Sequence, residues 1–169
     1  FVSSDKKNAK KIRVAAKTLG MCPGSEEVYL SLRGLPTLHL RMKQIEKNTL
    51  NLVKVLSKHT KIDKVYHPAL PNFPKHHIWK RDFTGSSGLF AFSLKKKYSI
   101  KTVEKFYNKL KIFKLGYSWG GFESLITFPA VSKRTFKIDI KGNLIRIYCG
   151  LEDSKDQIND ILNALKILK

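Results

Sequence analysis

The amino-acid sequence predicts an α+β fold, in which a small, mostly antiparallel sheet is covered by helices on one face and preceded by a long helix. Two observations support this fold class. Several segments repeat apolar residues every three or four positions, as amphipathic helices do. Other segments are short apolar runs bounded by Gly, Pro, Ser or Asn, as strands joined by turns are.

The first third of the chain is predicted to be helical. Residues 6–19 form a basic helix, and Ser25 is the expected N-cap of a short second helix that ends at Leu32. The long helix would begin at Pro36, because the first turn of a helix needs no amide donor. Its apolar stripe consists of Leu38, Met42, Ile45, Thr49, Leu52 and Leu56.

The rest of the chain should supply the sheet and two more helices. Strands are predicted near residues 64–66, 89–94, 111–115, 124–128 and 144–149. Ser99 would cap the first of these helices, and Ser154 with Gln157 would form a capping box for the second. The predicted inner faces are Val103, Phe106, Tyr107 and Leu110 in one helix and Ile158, Ile161, Leu162, Leu165 and Leu168 in the other.

The composition is that of a globular protein in a reducing compartment. Of the 169 residues, 42% are hydrophobic and 11% aromatic, which favours a packed core over disorder. No apolar run approaches the length of a membrane span, and only Cys22 and Cys149 are available for disulfides. We therefore expect a cytoplasmic protein without a membrane partner. Because the chain starts at Phe1, we expect a piece of a longer polypeptide.

A net charge of +20 suggests an alternative function, a non-catalytic basic domain that binds nucleic acid or acidic surfaces. The distribution of the charge counts against this alternative. The cationic residues are mostly lysines spread along the chain, whereas base recognition relies on arginine. We do not expect dedicated nucleic-acid binding. A metal site is not expected either, because the neighbouring side chains of His76 and His77 diverge.

One predicted strand and one predicted turn suggest a binding site. Along residues 144–149, alternate side chains should face opposite sides of the sheet, so Arg146 lies apart from its apolar neighbours. An isolated guanidinium suits a carboxylate, because its planar fork donates two parallel hydrogen bonds. Arg146 could instead pair with Glu152, Asp153 or another nearby acid of its own chain. The turn is Tyr117-Ser118-Trp119-Gly120-Gly121.

These segments resemble the C-terminal part of bacterial cystathionine β-lyases, fold-type-I enzymes of the Cys/Met metabolism family that use pyridoxal phosphate. The resemblance is carried by residues 32–42, 67–70, 79–90, 117–125 and 144–153. It implies that residues 1–35 are the end of the cofactor-binding domain with its connector, and that residues 36–169 are the small C-terminal domain.

The resemblance also implies a reaction, a site and an assembly. Cystathionine would be converted to homocysteine, pyruvate and ammonia in the transsulfuration steps of methionine biosynthesis, with pyridoxal 5'-phosphate as the electron sink. Arg146 would bind the α-carboxylate of the substrate, with Ser118 and Trp119 beside it and Tyr117 lining or supporting the pocket. Cysteine and related substrates stay open alternatives to cystathionine. The full enzyme would be a homotetramer.

The resemblance places the lysine that holds the cofactor upstream of this chain. Thr60-Lys61 has the right dipeptide but the wrong surroundings. We therefore expect no catalytic residue here, a cofactor bound mainly by the missing N-terminal domain, and no activity of the chain alone. A decayed gene product that still folds and binds a full-length partner is the remaining alternative.

Overall fold

The computed structural model describes residues 5–129 and 140–169. Its contacts divide the chain into two compact units, Phe1–His39 and Leu40–Lys169. The boundary falls inside a continuous helix, and the functional division at residue 36 stays a prediction.

The described part of the first unit, from residue 5 onward, is helical, as predicted. Helix α1 (Lys6–Thr18) is capped by Asp5, whose side chain accepts a hydrogen bond from the amide of Asn8 at 2.7 Å. Helix α2 (Ser25–Gly34) begins one residue earlier than expected. Ser25 is already helical, and the N-cap is Gly24, which has no side chain to cap with. The prediction of a serine cap was therefore wrong.

The long helix α3 (Leu38–Leu56) follows a short 3₁₀ turn, Leu35–Thr37. Pro36 lies in that turn and not in the first turn of α3, as had been expected. The later part of the predicted stripe is buried from Ile45 onward, whereas Leu38 and Met42 are exposed. In the described residues the core therefore covers only the C-terminal two thirds of this helix.

The described strands form one five-stranded sheet, which confirms the predicted fold class. In chain order they are β1 (Ile62–Tyr66), β2 (Leu89–Leu94), β3 (Lys114–Leu115), β4 (Leu125–Thr127) and β5 (Leu144–Tyr148). Their spatial order is β1-β2-β5-β4-β3, and only the β3–β4 pair is parallel. Strand β5 is therefore the central strand and lies between β2 and β4.

Strand β3 is shorter than predicted because a side chain takes the amides of the residues before it. The Asp160 carboxylate accepts hydrogen bonds from the amides of Lys111, Ile112 and Phe113 at 2.8, 2.8 and 3.1 Å. These three residues therefore cannot form the ladder that the apolar pattern suggested.

Three further helices complete the described part of the second unit. Helix α4 (His76–Asp82) was not predicted. Helix α5 (Ile100–Lys109) is capped by Ser99, as predicted. Helix α6 (Ser154–Leu165) begins differently from the prediction, because Asp153 caps it through the amides of Lys155 and Asp156.

The core lies between one face of the sheet and helices α3, α5 and α6. Alternate residues of β2 and β5 enter it together with residues of the three helices. Its largest fully buried side chains include Phe92, Phe106, Phe113, Leu52, Leu56, Ile145, Ile147, Ile161 and Leu165. Among the residues described, no helix is both long and apolar enough to cross a membrane.

Candidate functional site

Arg146 lies in the middle of the central strand β5, on the face opposite the core. The ladder places it between Ala91 of β2 and Thr127 of β4. Its neighbours Ile145 and Ile147 are fully buried on the other face, so the predicted alternation along the strand is observed. The residue itself is only half-buried. A charged head group can therefore reach solvent while its aliphatic stem packs against the sheet.

The turn predicted beside this strand forms an exposed loop between β3 and β4, called here the aromatic loop (residues 117–122). Tyr117, Trp119 and Phe122 expose 74%, 64% and 69% of their surface. Within the described chain Trp119 is therefore not the packed anchor that a tryptophan in a turn usually is. Gly120 has a φ of +90°, which side chains rarely adopt, so the loop requires glycine there.

The aromatic loop is attached to β5 through its backbone. Arg146 Nη2 donates a hydrogen bond to the carbonyl oxygen of Tyr117. The Tyr148 hydroxyl donates to the carbonyl oxygen of Gly121 at 2.9 Å. The amide of Leu151 donates to the carbonyl oxygen of Phe122 at 2.8 Å. Burial raises the pKa of the Tyr148 hydroxyl above its ordinary value, which favours the protonated form that donates this hydrogen bond.

Toward the described residues, the guanidinium of Arg146 has unused N–H donors. Of its five N–H donors, one binds the Tyr117 carbonyl, and no other hydrogen bond of the Arg146 side chain reaches a residue in the ranges 5–129 and 140–169. A carbonyl oxygen on one edge of the fork orients the group without neutralising its charge. The remaining N–H donors of the guanidinium can therefore bind an anion.

The two acids that the sequence suggested by position as alternative partners of Arg146 are engaged elsewhere. Glu152 accepts hydrogen bonds from the amide and hydroxyl of Ser124, both at 2.7 Å, and from Gln157 Nε2 at 3.0 Å. Asp153 caps α6. Neither carboxylate forms an ion pair with Arg146.

A buried polar cluster near the end of β5 was missed from the sequence, which predicted Gln157 only as part of a capping box. We call it the Glu152 cluster, and it consists of Asn48, Ser124, Glu152 and Gln157. Asn48 Nδ2 donates to the carbonyls of Gly150 and Glu152 at 3.1 and 2.9 Å, and the amide of Gly150 donates to Ser124 Oγ at 2.8 Å. The available signal was the presence of amide side chains on the apolar stripes of two helices.

The described residues do not fit covalent attachment of pyridoxal phosphate. A lysine that holds this cofactor must be sheltered from water, whereas the lysines in residues 5–129 and 140–169 are exposed except Lys61. Lys61 is half-buried, and its Nζ donates to the carbonyl of Leu165 at 2.8 Å, far along the chain from the aromatic loop. No group of metal-binding side chains occurs in these ranges either. His76 hydrogen-bonds the Pro68 carbonyl, and His77 is exposed.

Comparison with known proteins identifies the relatives. The family model of Cys/Met metabolism PLP-dependent enzymes matches residues 1–166. The chain is 42% identical over 153 residues to the L-alanine/L-glutamate racemase of Wolbachia pipientis wMel, covering 88% of this chain and 38% of the relative. It is 40% identical over 155 residues to the cystathionine beta-lyase MetC of Escherichia coli (strain K12), covering 89% of this chain and 39% of that enzyme.

A solved structure agrees with the sequence comparisons. The cystathionine gamma synthase of Xanthomonas oryzae pv. oryzae, in complex with aminoacrylate and cysteine, superposes with a TM-score of 0.84 at 28% identity. The match covers 98% of this chain and 44% of that one. The chain thus spans about two fifths of the length of the relatives it matches. It belongs to the family of Cys/Met metabolism enzymes that depend on pyridoxal phosphate.

Proposed function

We propose that this chain is the substrate-carboxylate-binding part of a carbon–sulfur lyase that converts cystathionine to homocysteine, pyruvate and ammonia in methionine biosynthesis. The observation that supports this role is Arg146, a guanidinium that is steered by the Tyr117 carbonyl and has no ion-pair partner among the described residues. Family membership favours an enzyme over the alternative of a basic domain that binds nucleic acid.

The geometry suggests how these residues would act on an amino acid. The fork of Arg146 would hold the α-carboxylate through two hydrogen bonds, with Ser118 and the Trp119 indole of the aromatic loop beside it. Tyr117 would contribute its carbonyl oxygen, which sets the rotation of the guanidinium. Holding the carboxylate fixes which bond of the α-carbon is presented for cleavage, so the contribution of Arg146 is orientation.

Pyridoxal phosphate supplies the electron sink for this chemistry when it is bound. We propose that it is held mainly by a cofactor domain outside these 169 residues and that the chain alone has no lyase activity. The complete enzyme would be a cytoplasmic homotetramer. Covalent attachment of the cofactor to a single lysine of the isolated chain after borohydride reduction would contradict this part of the proposal.

A second candidate reaction is amino-acid racemisation. The observation that favours it is the 42% identity to a racemase named for L-alanine and L-glutamate. Both reactions act on an α-amino acid, so a guanidinium that binds its carboxylate serves either one. Arg146 alone therefore does not distinguish a lyase from a racemase.

The test is a chimera in which the chain replaces the matching C-terminal part of the Escherichia coli lyase. Pyruvate release from cystathionine reports the lyase reaction, and chiral chromatography of alanine and glutamate reports racemisation. We expect Arg146→Ala to lower kcat/KM at least about a hundredfold, because it removes a charged partner of the substrate. The kcat/KM of Arg146→Lys should lie between those of the parent chimera and Arg146→Ala, because lysine keeps the positive charge but lacks the planar fork.

The matched control is Arg81→Ala, which removes an exposed arginine paired with Asp82 at 2.7 Å. It should leave both activities unchanged. Lyase activity that depends on Arg146 and not on Arg81 supports the proposal. Racemisation without pyruvate release would favour the second candidate, and an Arg146→Ala chimera as active as the parent would overturn both.

A further inference from the structure

The Glu152 cluster joins four elements at one point. Asn48 comes from α3, Ser124 directly precedes β4, Glu152 follows β5, and Gln157 comes from α6. Asn48, Ser124 and Gln157 are fully buried. A buried polar group costs free energy unless it is hydrogen-bonded. The hydrogen bonds of this cluster therefore restrict the positions of the four segments that contribute to it.

Glu152 is the acceptor on which the cluster depends. Its Oε1 accepts from the amide of Ser124, and its Oε2 accepts from the Ser124 hydroxyl and from Gln157 Nε2. All three groups donate, and an ionised carboxylate is the side chain that only accepts. A glutamine at position 152 would direct an N–H group toward one of these donors.

The cluster lies where the aromatic loop rejoins the sheet. Ser124 comes two residues after Phe122, and the amide of Leu151 donates to the Phe122 carbonyl at 2.8 Å. Gly150 packs so closely that an added Cβ would lie 2.1 Å from that carbonyl oxygen. Glu152 thus holds one end of the loop against the end of β5, while Arg146 binds the other end at Tyr117.

We propose that Glu152 is a positioning residue, which sets the distance between the aromatic loop and Arg146 and so the fit of a substrate carboxylate. The role in substrate binding depends on the proposed function, whereas the role in loop position does not. Glu152 would not touch the substrate.

The first test measures substrate kinetics of the chimera with Glu152→Gln. A displaced loop loosens the contacts around the carboxylate, so we expect KM for cystathionine to rise about tenfold or more while kcat changes less. The matched control is Glu46→Gln, because Glu46 makes the same kind of contact with Ser86, at 2.7 Å to its amide and 3.0 Å to its hydroxyl. The control should leave KM unchanged.

The second test needs no cofactor and uses the 169-residue chain. Trp79→Phe leaves Trp119 as the one tryptophan, and acrylamide quenching then reports the exposure of the aromatic loop. In this background Glu152→Gln should change the quenching constant of Trp119, and Glu46→Gln should not. Circular dichroism at the same temperature checks that both variants are folded.

The outcomes separate the two proposals. A change in Trp119 quenching specific to Glu152→Gln supports the positioning role even if the chimera is inactive, a result that would count against the proposed function alone. Equal quenching and equal KM in the Glu152 and Glu46 variants would overturn the positioning role. If Glu152→Gln unfolds the chain, Ser124→Ala, which removes one donor and leaves the carboxylate, must shift the quenching in the same way or the proposal fails.

Discussion

The two faces of strand β5 are held by different forces. On one face Ile145 and Ile147 are fully buried beneath three helices, and contact with other apolar side chains supplies the stability. On the other face Arg146 and Tyr148 donate hydrogen bonds to backbone carbonyls of a loop whose own side chains are exposed. The apolar face tolerates changes of polarity poorly, whereas the loop face depends on the position of a few donors and on the backbone around them.

The largest expected difference is between two phenylalanines. Phe92 is fully buried, so Phe92→Ala should lower the free energy of unfolding by about 3–5 kcal/mol through lost burial and the cavity that remains. Phe122→Ala makes the same deletion in the aromatic loop and should change it by less than about 0.5 kcal/mol. Urea unfolding measures both, and similar losses would mean that the loop is part of the core.

A smaller effect is expected where the loop backbone meets the end of β5. A Cβ on Gly150 would lie 2.1 Å from the Phe122 carbonyl oxygen and 2.6 Å from the carbonyl carbon of Glu123. Gly150→Ala should therefore cost about 1–3 kcal/mol, because backbone atoms have to move. Gly121→Ala has no atom within 4 Å of the new carbon and serves as the control. A neutral Gly150→Ala would show that the contact is loose.

A third, weaker effect on the free energy of unfolding is expected at Gly120, where the backbone conformation and not a close contact opposes a side chain. Gly120 also has open space around it, but its φ of +90° is strained for any residue with a side chain. We expect Gly120→Ala to cost about 1 kcal/mol in urea unfolding. Since Gly121→Ala lacks this strain, equal stability of the two variants would argue that the loop leaves this conformation easily.

The smallest effect concerns the pH dependence of the buried face. Burial raises the pKa of the Cys149 thiol to about 12, above that of the unfolded chain. Below the pKa of the unfolded chain, roughly 9, the neutral thiol contributes fully to the free energy of unfolding. That contribution is lost as the pH rises from there toward the pKa of the folded state. At pH 9 the loss should be roughly half a kcal/mol.

Cys149→Ala isolates this contribution, because the cavity it leaves costs the same at every pH. The difference in unfolding free energy between the parent and Cys149→Ala should shrink between pH 7 and pH 9. A constant difference would contradict the raised pKa. As a further check, the exposed Cys22 should react with a thiol reagent in the folded chain long before Cys149 does.

Local rules accounted for the elements whose signals lie within a few residues. The cap of α5 by Ser99, the positions of β2, β4 and β5 and the alternation along β5 all follow from neighbouring side chains. Of the candidate site residues, Arg146 and the aromatic loop do meet in the structure, through the Tyr117 carbonyl. Their roles toward a substrate stay predictions.

Errors arose where a distant residue competes with a local pattern. Ser154 and Gln157 match a capping box, yet Asp153 caps α6 and Gln157 turns inward to Ser124 and Glu152. Residues 111–113 have an apolar strand pattern, yet Asp160 takes their amides. In both cases hydrogen bonds to residues outside the local window decided the outcome, and no local count includes them.

The sequence by itself determined the fold class, most of the strands and the isolation of one arginine among apolar neighbours on β5, because the spacing of apolar residues controls which side chains can be buried. Only the tertiary structure decided which groups satisfy the buried polar atoms. In the structure Glu152 accepts hydrogen bonds from Ser124 and Gln157, and the Arg146 side chain donates to a backbone carbonyl. The physical reason is that a hydrogen bond forms only when the donor–acceptor distance is right to within a few tenths of an ångström. The donors and acceptors concerned are far apart in the chain, and only folding brings them together.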